Sequence, residues 1–179
     1  MNVVAVGVLA ALSLFVLPQL IVCPFHNVVF NDLLMFLNTS SKIYIFTLNE
    51  NLLNCPYYVK EFLNKTNYVF NYTSEACPPN TTTFSADLRN DTELGAPYMD
   101  IHSWKGGKNV KKHLRYYNPM ENCGVFSYFE NGTTHYEVHV WDIKFLILNG
   151  KKVFDTCLTV YRSYIAQLTQ LTMECGHHC

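Results

Sequence analysis

The feature that most constrains the fold is the spacing of the aromatic and apolar runs. Twelve Tyr and twelve Phe lie mostly in short stretches that break at Asn, Gly, Pro or Thr. Runs of strand length bounded by turn residues predict antiparallel β structure rather than alternating β and α units. Eight candidates follow one another: Lys42 to Leu48, Tyr57 to Leu63, Asn67 to Tyr72, Thr82 to Leu88, Tyr98 to Ser103, Val110 to Tyr117, Gly124 to Phe129 and His135 to Trp141. Asn131-Gly132, a strong hairpin signal, joins the last two. Ahead of the strands, Phe30, Leu33, Leu34 and Leu37 share one face of a short helix predicted over Val29 to Leu37. After Asn149-Gly150 the period changes. Val153, Phe154, Cys157, Val160, Tyr161 and Tyr164 recur at three- and four-residue steps, as on a helix with one buried face. Together these elements predict a mainly β chain: an eight-stranded antiparallel barrel with a short N-terminal helix and a C-terminal helix packed outside.

The chain is expected to be exported. Residues 3–22 are almost continuously apolar, but the apolar block Val3 to Leu17 is short for a bilayer span and no stop-transfer charges follow it, so residues 1–23 read as a signal peptide and 24–179 as one domain. Cleavage after Cys23 would leave Pro24 at the new N-terminus, so the site of cutting stays open. Acceptor sequons for N-linked sugar begin at Asn38, Asn64, Asn71, Asn80, Asn90 and Asn131. Chance would supply about two in such a composition, and a sequon has meaning only on the surface of a secreted protein. The expected location is therefore extracellular, without a membrane anchor after cleavage.

In an oxidising compartment Cys55, Cys77, Cys123, Cys157, Cys175 and Cys179 form a disulfide framework, with fifteen possible pairings for six cysteines. The tail Cys175-Gly176-His177-His178-Cys179 resembles a metal cluster only superficially, since a secreted chain oxidises its thiols, and no metal is expected. A net charge of −1 argues against a nucleic-acid partner. The one basic stretch, Lys105, Lys108, Lys111, Lys112 and Arg115, is expected to be a solvated hairpin edge. No Gly-x-Ser-x-Gly, His-Glu-x-x-His or phosphate-cradling glycine loop is present, so the expectation is a binding protein without cofactor rather than an enzyme.

Segments spread over the mature chain resemble the salivary lipocalins of ticks, the family that includes the histamine-binding proteins. They are Phe30 through Tyr44, Cys55-Pro56-Tyr57-Tyr58-Val59, Asn67-Tyr68-Val69-Phe70, Cys123-Gly124-Val125, Tyr136 through Trp141, and Cys157. Of the family's amine-binding pattern the chain keeps Cys123, Val125, Glu137 and Cys157. It carries Gly124 where the family has Asp, Val138 for Leu and His139 for an aromatic. The resemblance implies capture, in saliva, of a small host mediator inside the barrel: a biogenic amine such as histamine or serotonin, or a lipid mediator such as a leukotriene. Glu137 would face inward and pair with a cationic ligand, because taking a cation into a barrel is costly without a carboxylate. His139, Trp141, Tyr128, Phe126 and Tyr44 complete the implied ligand set, and losing the Asp at Gly124 tilts the reading away from two amine sites. The resemblance further implies a Cys123–Cys157 bridge, and Cys55 paired with Cys179 or Cys175. Cys77 is left to the remaining tail cysteine or to Cys23. The alternative is a protein-binding inhibitor of host complement or haemostasis that uses the outer barrel surface.

Overall fold

The computed structural model describes residues 27–46, 56–74, 78–141 and 155–165. The elements run α1 (Phe30–Leu37), β1 (Ile43–Phe46), β2 (Tyr57–Leu63), β3 (Asn67–Ser74), β4 (Asn80–Asp91), β5 (Ala96–Ser103), α2 (Trp104–Gly107), β6 (Lys108–Asn118), β7 (Cys123–Glu130), β8 (Thr133–Trp141) and α3 (Asp155–Tyr164). The eight strands pair in sequence order, all antiparallel, and β1 closes onto β8 through Ile43↔Trp141 and Ile45↔His139. The predicted barrel and both predicted helices are present. Outside the described residues lie the expected signal peptide, Cys23, Cys55, Cys77, Cys175 and Cys179, together with Thr47, Leu48, Val153 and Phe154 of the predicted elements.

Each strand has two faces because successive side chains point to opposite sides. On β8, Glu137, His139 and Trp141 point inward, while Tyr136, Val138 and Val140 join an outer cluster beneath α3. On β1, Ile43 and Ile45 point inward, and Tyr44 and Phe46 outward. The β7–β8 turn confirms its sequence signal: Asn131 (φ 51°) and Gly132 (φ 81°) both adopt the left-handed region that a two-residue turn between twisted strands requires. A bulge between Leu114 and Tyr116 shifts the alternation of β6, so that Lys112, Leu114 and Tyr117 all face inward.

Helix α1 seals one end of the barrel. Asp32 starts it, accepting the Val29 N–H at 2.9 Å. Leu33, Phe36 and Leu37 are wholly buried, whereas Phe30 and Leu34 are only partly so. The buried face is thus rotated from the predicted one towards Phe36, whose carbonyl accepts the Trp141 Nε1–H at 3.0 Å. Around this end the interior is close-packed, with Tyr58, Tyr68, Phe70, Leu114 and Phe126 inaccessible to solvent. Towards the opposite end, where the β5–β6 and β7–β8 turns lie, burial loosens at Tyr72, Trp104 and Val110 and more so at Phe84 and Tyr128.

Helix α3 packs outside on β6, β7 and β8, burying Cys157, Leu158, Val160 and Tyr161 against Cys123, Val125, Val138 and Val140. The implied Cys123–Cys157 disulfide is formed. Glu121 caps the helix: its carboxylate accepts the Thr156 N–H at 3.1 Å and the Thr156 hydroxyl at 2.5 Å. Glu121, Cys123 and Cys157 lie close enough to suggest a metal group, but the two sulfurs are bonded to each other and the carboxylate is committed to the helix.

Candidate functional site

Three ionisable side chains meet inside the barrel. Lys112 on β6 donates to Glu137 Oε2 on β8 at 2.7 Å, and the same oxygen lies 2.8 Å from His139 Nε2. The ammonium also donates to the Tyr58 hydroxyl at 3.2 Å. Lys112 is 1% exposed, Glu137 5% and His139 0%. Aromatic faces surround the charge: Lys112 Nζ lies 4.7 Å from the centre of the Trp104 ring, 5.1 Å from Tyr128 and 5.9 Å from Tyr58. The rings' negative faces partly replace the water that the ammonium gives up.

The protonation states follow from this geometry. Burial alone would raise the Glu137 pKa, but the adjacent Lys112 charge and the His139 hydrogen bond outweigh it and hold the carboxyl well below its ordinary value. Burial lowers His139, and the hydrogen bond to Glu137 does not offset that. A neutral His139 therefore donates through Nε2–H to the carboxylate and carries a lone pair on Nδ1, which has no partner among the described residues. The ring stacks on Phe126 at 4.3 Å. The Tyr68 hydroxyl is likewise buried without a partner, and burial raises its pKa far above the ordinary value. The group is thus an ion pair of zero net charge beside a neutral imidazole.

Both lowered pKa values give the same sign of pH dependence. The unfolded chain binds protons first, so stability is full above the ordinary histidine pKa of about 6.5 and falls as pH drops through it. A second loss begins below the ordinary Glu pKa of about 4.3, as Glu137 is forced to protonate. Urea midpoints measured between pH 7 and pH 4 should decline from about pH 6.5. His139→Gln should flatten the upper part of that decline, and His113, also lowered by burial, should account for what remains.

Of the side chains implicated from sequence, the barrel brings together Glu137, His139 and Phe126. Tyr128 joins through the Lys112 ammonium. Trp141 points inward but is held at the α1 end, 6.2 Å from the Phe36 ring. Tyr44 is not brought to the group: its ring lies tilted 5.4 Å from that of Tyr57 in the outer cluster, because the phase of β1 sends Ile43 and Ile45 inward. Gly124 faces the interior, where space for a side chain is tight. A Cβ there would lie 3.1 Å from Leu114 Cδ1 and 3.3 Å from the Tyr116 carbonyl oxygen. A side chain at this position needs Leu114, Phe126 and the Tyr116 carbonyl to give by a few tenths of an ångström.

Two members of the site went unrecognised in the sequence. Lys112 is not part of a solvated edge, although its neighbours Lys108 and Lys111 are exposed. The signal was available, since Val110, Lys112 and Leu114 share one face of a strand whose other positions are polar. Trp104 lies in the turn element α2 between strand candidates, where no periodicity marks it. The six sequon asparagines occupy the surface: all are exposed except Asn71, which is half-buried.

Neither the family models nor the curated proteins yield a match to this chain. The fold and the buried group therefore carry the functional reading by themselves, and they define a closed, lipocalin-like barrel compatible with binding a ligand inside.

Proposed function

We propose that the protein is a secreted salivary lipocalin that sequesters one small host mediator, and that the mediator is a lipid acid of the leukotriene type rather than a biogenic amine. The observation that carries this choice is the Lys112–Glu137 pair. The carboxylate that would receive a cationic ligand already holds an internal ammonium at 2.7 Å. A second cation would have to displace it and leave one charge unpaired in a desolvated site, which is costly. An acceptor headgroup meets no such obstacle. Lysine has three N–H donors; two are spent on Glu137 and Tyr58, and one remains for a ligand. Above this polar floor Trp104, Tyr72, Phe84 and Tyr128 offer an apolar wall where burial loosens. Stoichiometric capture demands no turnover, in keeping with a chain that carries no recognisable catalytic motif.

Native mass spectrometry of the disulfide-bonded protein, exposed to a mixed pool of amines and eicosanoid acids, tests the proposal. A one-to-one adduct with an eicosanoid acid is the expected result. An amine adduct that Glu137→Gln abolishes would reverse the choice of ligand.

An external protein partner is favoured by a different observation. The sequons at Asn38, Asn64, Asn71, Asn80 and Asn90 lie on α1 and β2–β4 or their turns, and Asn131 lies at a hairpin tip. The outer wall of β5, β6 and β7 carries none between its ends. A groove of about 540 Å³ on that wall is lined by Asp100, Lys111, His113, Arg115, Ser127 and Phe129 among others. If the pool yields no adduct while the fold is intact, this sugar-free wall becomes the site to probe with serum proteins.

A further inference from the structure

We propose that the barrel contains a preformed binding site for a free alkylammonium ion, and that the Lys112 side chain is its tethered occupant and so bars amines from the interior. The components are those that recognise ammonium ligands generally: one carboxylate for the charge, one hydroxyl acceptor, and aromatic faces that replace hydration. Here they are Glu137 at 2.7 Å, Tyr58 Oη at 3.2 Å and the rings of Trp104, Tyr128 and Tyr58 at 4.7, 5.1 and 5.9 Å. They come from β2, α2, β7 and β8, so the closed barrel rather than one local segment assembles them. His139 Nε2 holds the same carboxylate oxygen, Glu137 Oε2, at 2.8 Å and so orients it through a contact that does not involve Lys112. Truncating Lys112 should therefore leave a fixed cage with its charge unsatisfied and a channel shaped like the missing stem.

Lys112→Ala removes three methylene groups and the ammonium, which n-propylammonium matches atom for atom. Thermal unfolding of the secreted, disulfide-intact protein supplies the readout. For Lys112→Ala, Tm should rise by about 4 °C with propylammonium at roughly ten times its dissociation constant, while n-propanol at the same concentration should do nothing. Wild type should not respond to either. Lys112→Ala with Glu137→Gln should lose the response, because the cage then lacks its charge. Should Lys112→Ala not fold alone, the refolding yield with and without propylammonium reports the same site, and rescue by propylammonium but not propanol is expected. No gain in Tm or yield, or an equal gain from propanol, would overturn the proposal. None of these outcomes depends on which mediator the wild-type barrel holds: an eicosanoid adduct can fail while rescue succeeds, and the reverse.

Discussion

Replacing Lys112 with Met should cost about 3–5 kcal/mol, the loss typical when one partner of a buried ion pair is removed and the other stays behind. The size of the effect comes from Glu137, not from the lost lysine contacts. With Lys112 gone, Glu137 is 5% exposed and retains only a hydrogen bond from a neutral imidazole. Its pKa should then move above the ordinary value, since burial is no longer outweighed by an adjacent positive charge. The pH dependence of that component reverses accordingly. A carboxyl with a raised folded-state pKa contributes stability at low pH and loses it as pH rises. The gap between Lys112→Met and wild type should therefore be smaller at pH 5 than at pH 7 in urea titrations. Adding Glu137→Gln should return more than half of the loss at pH 7, because the amide oxygen still accepts the His139 Nε2–H without a charge to desolvate. A single variant as stable as wild type at pH 7 would mean that the pair is solvated in solution.

The second large effect is expected at the Cys123–Cys157 bridge. The two residues are 34 apart in sequence, and closing a loop of that length stabilises by about 3–4 kcal/mol in the chain-entropy model. Cys123→Ala combined with Cys157→Ala should lower the unfolding free energy from urea titration by that amount without unfolding the barrel, whose strands pair in a closed ring that does not include α3. Glu121→Gln in the same background should cost a further ~1 kcal/mol, as the cap over Thr156 weakens. In the disulfide-intact protein the same substitution should cost less, because the bridge holds the start of α3 in place. Denaturation of wild type and the three variants measures this coupling directly.

The strands were legible because alternation survives wherever one face meets the core and the other meets water. The β2 candidate coincides with its observed bounds, and the Asn131-Gly132 turn falls where its backbone preference places it. Legibility failed where both faces of a strand are covered. On β1 all four residues are buried, two by the interior and two by the outer cluster, so composition alone could not assign Tyr44 to a side. The buried charges were half visible. Glu137 is singled out by the amine-binding pattern that the chain resembles, whereas Lys112 sits among charged sequence neighbours although its period-two neighbours are apolar. Trp104 depends on a turn with Ser103, Gly106 and Gly107 all at positive φ, a conformation that no hydrophobic period encodes. The rotation of α1 towards Phe36 reflects its docking across the barrel end, set by Trp141 more than a hundred residues away.

Closure of the sheet has a consequence for how such a protein can be used. An open sheet ends in a row of unpaired amides that another chain can adopt as a template, and the hazard grows with concentration. In this barrel β1 pairs with both β2 and β8, so the ring has no terminal strand to offer. The capture proposed above works by stoichiometry, so the protein would have to be present at least in the amount of what it removes. A fold without a free edge lets a chain with twenty-four Tyr and Phe residues accumulate to that level while staying dispersed.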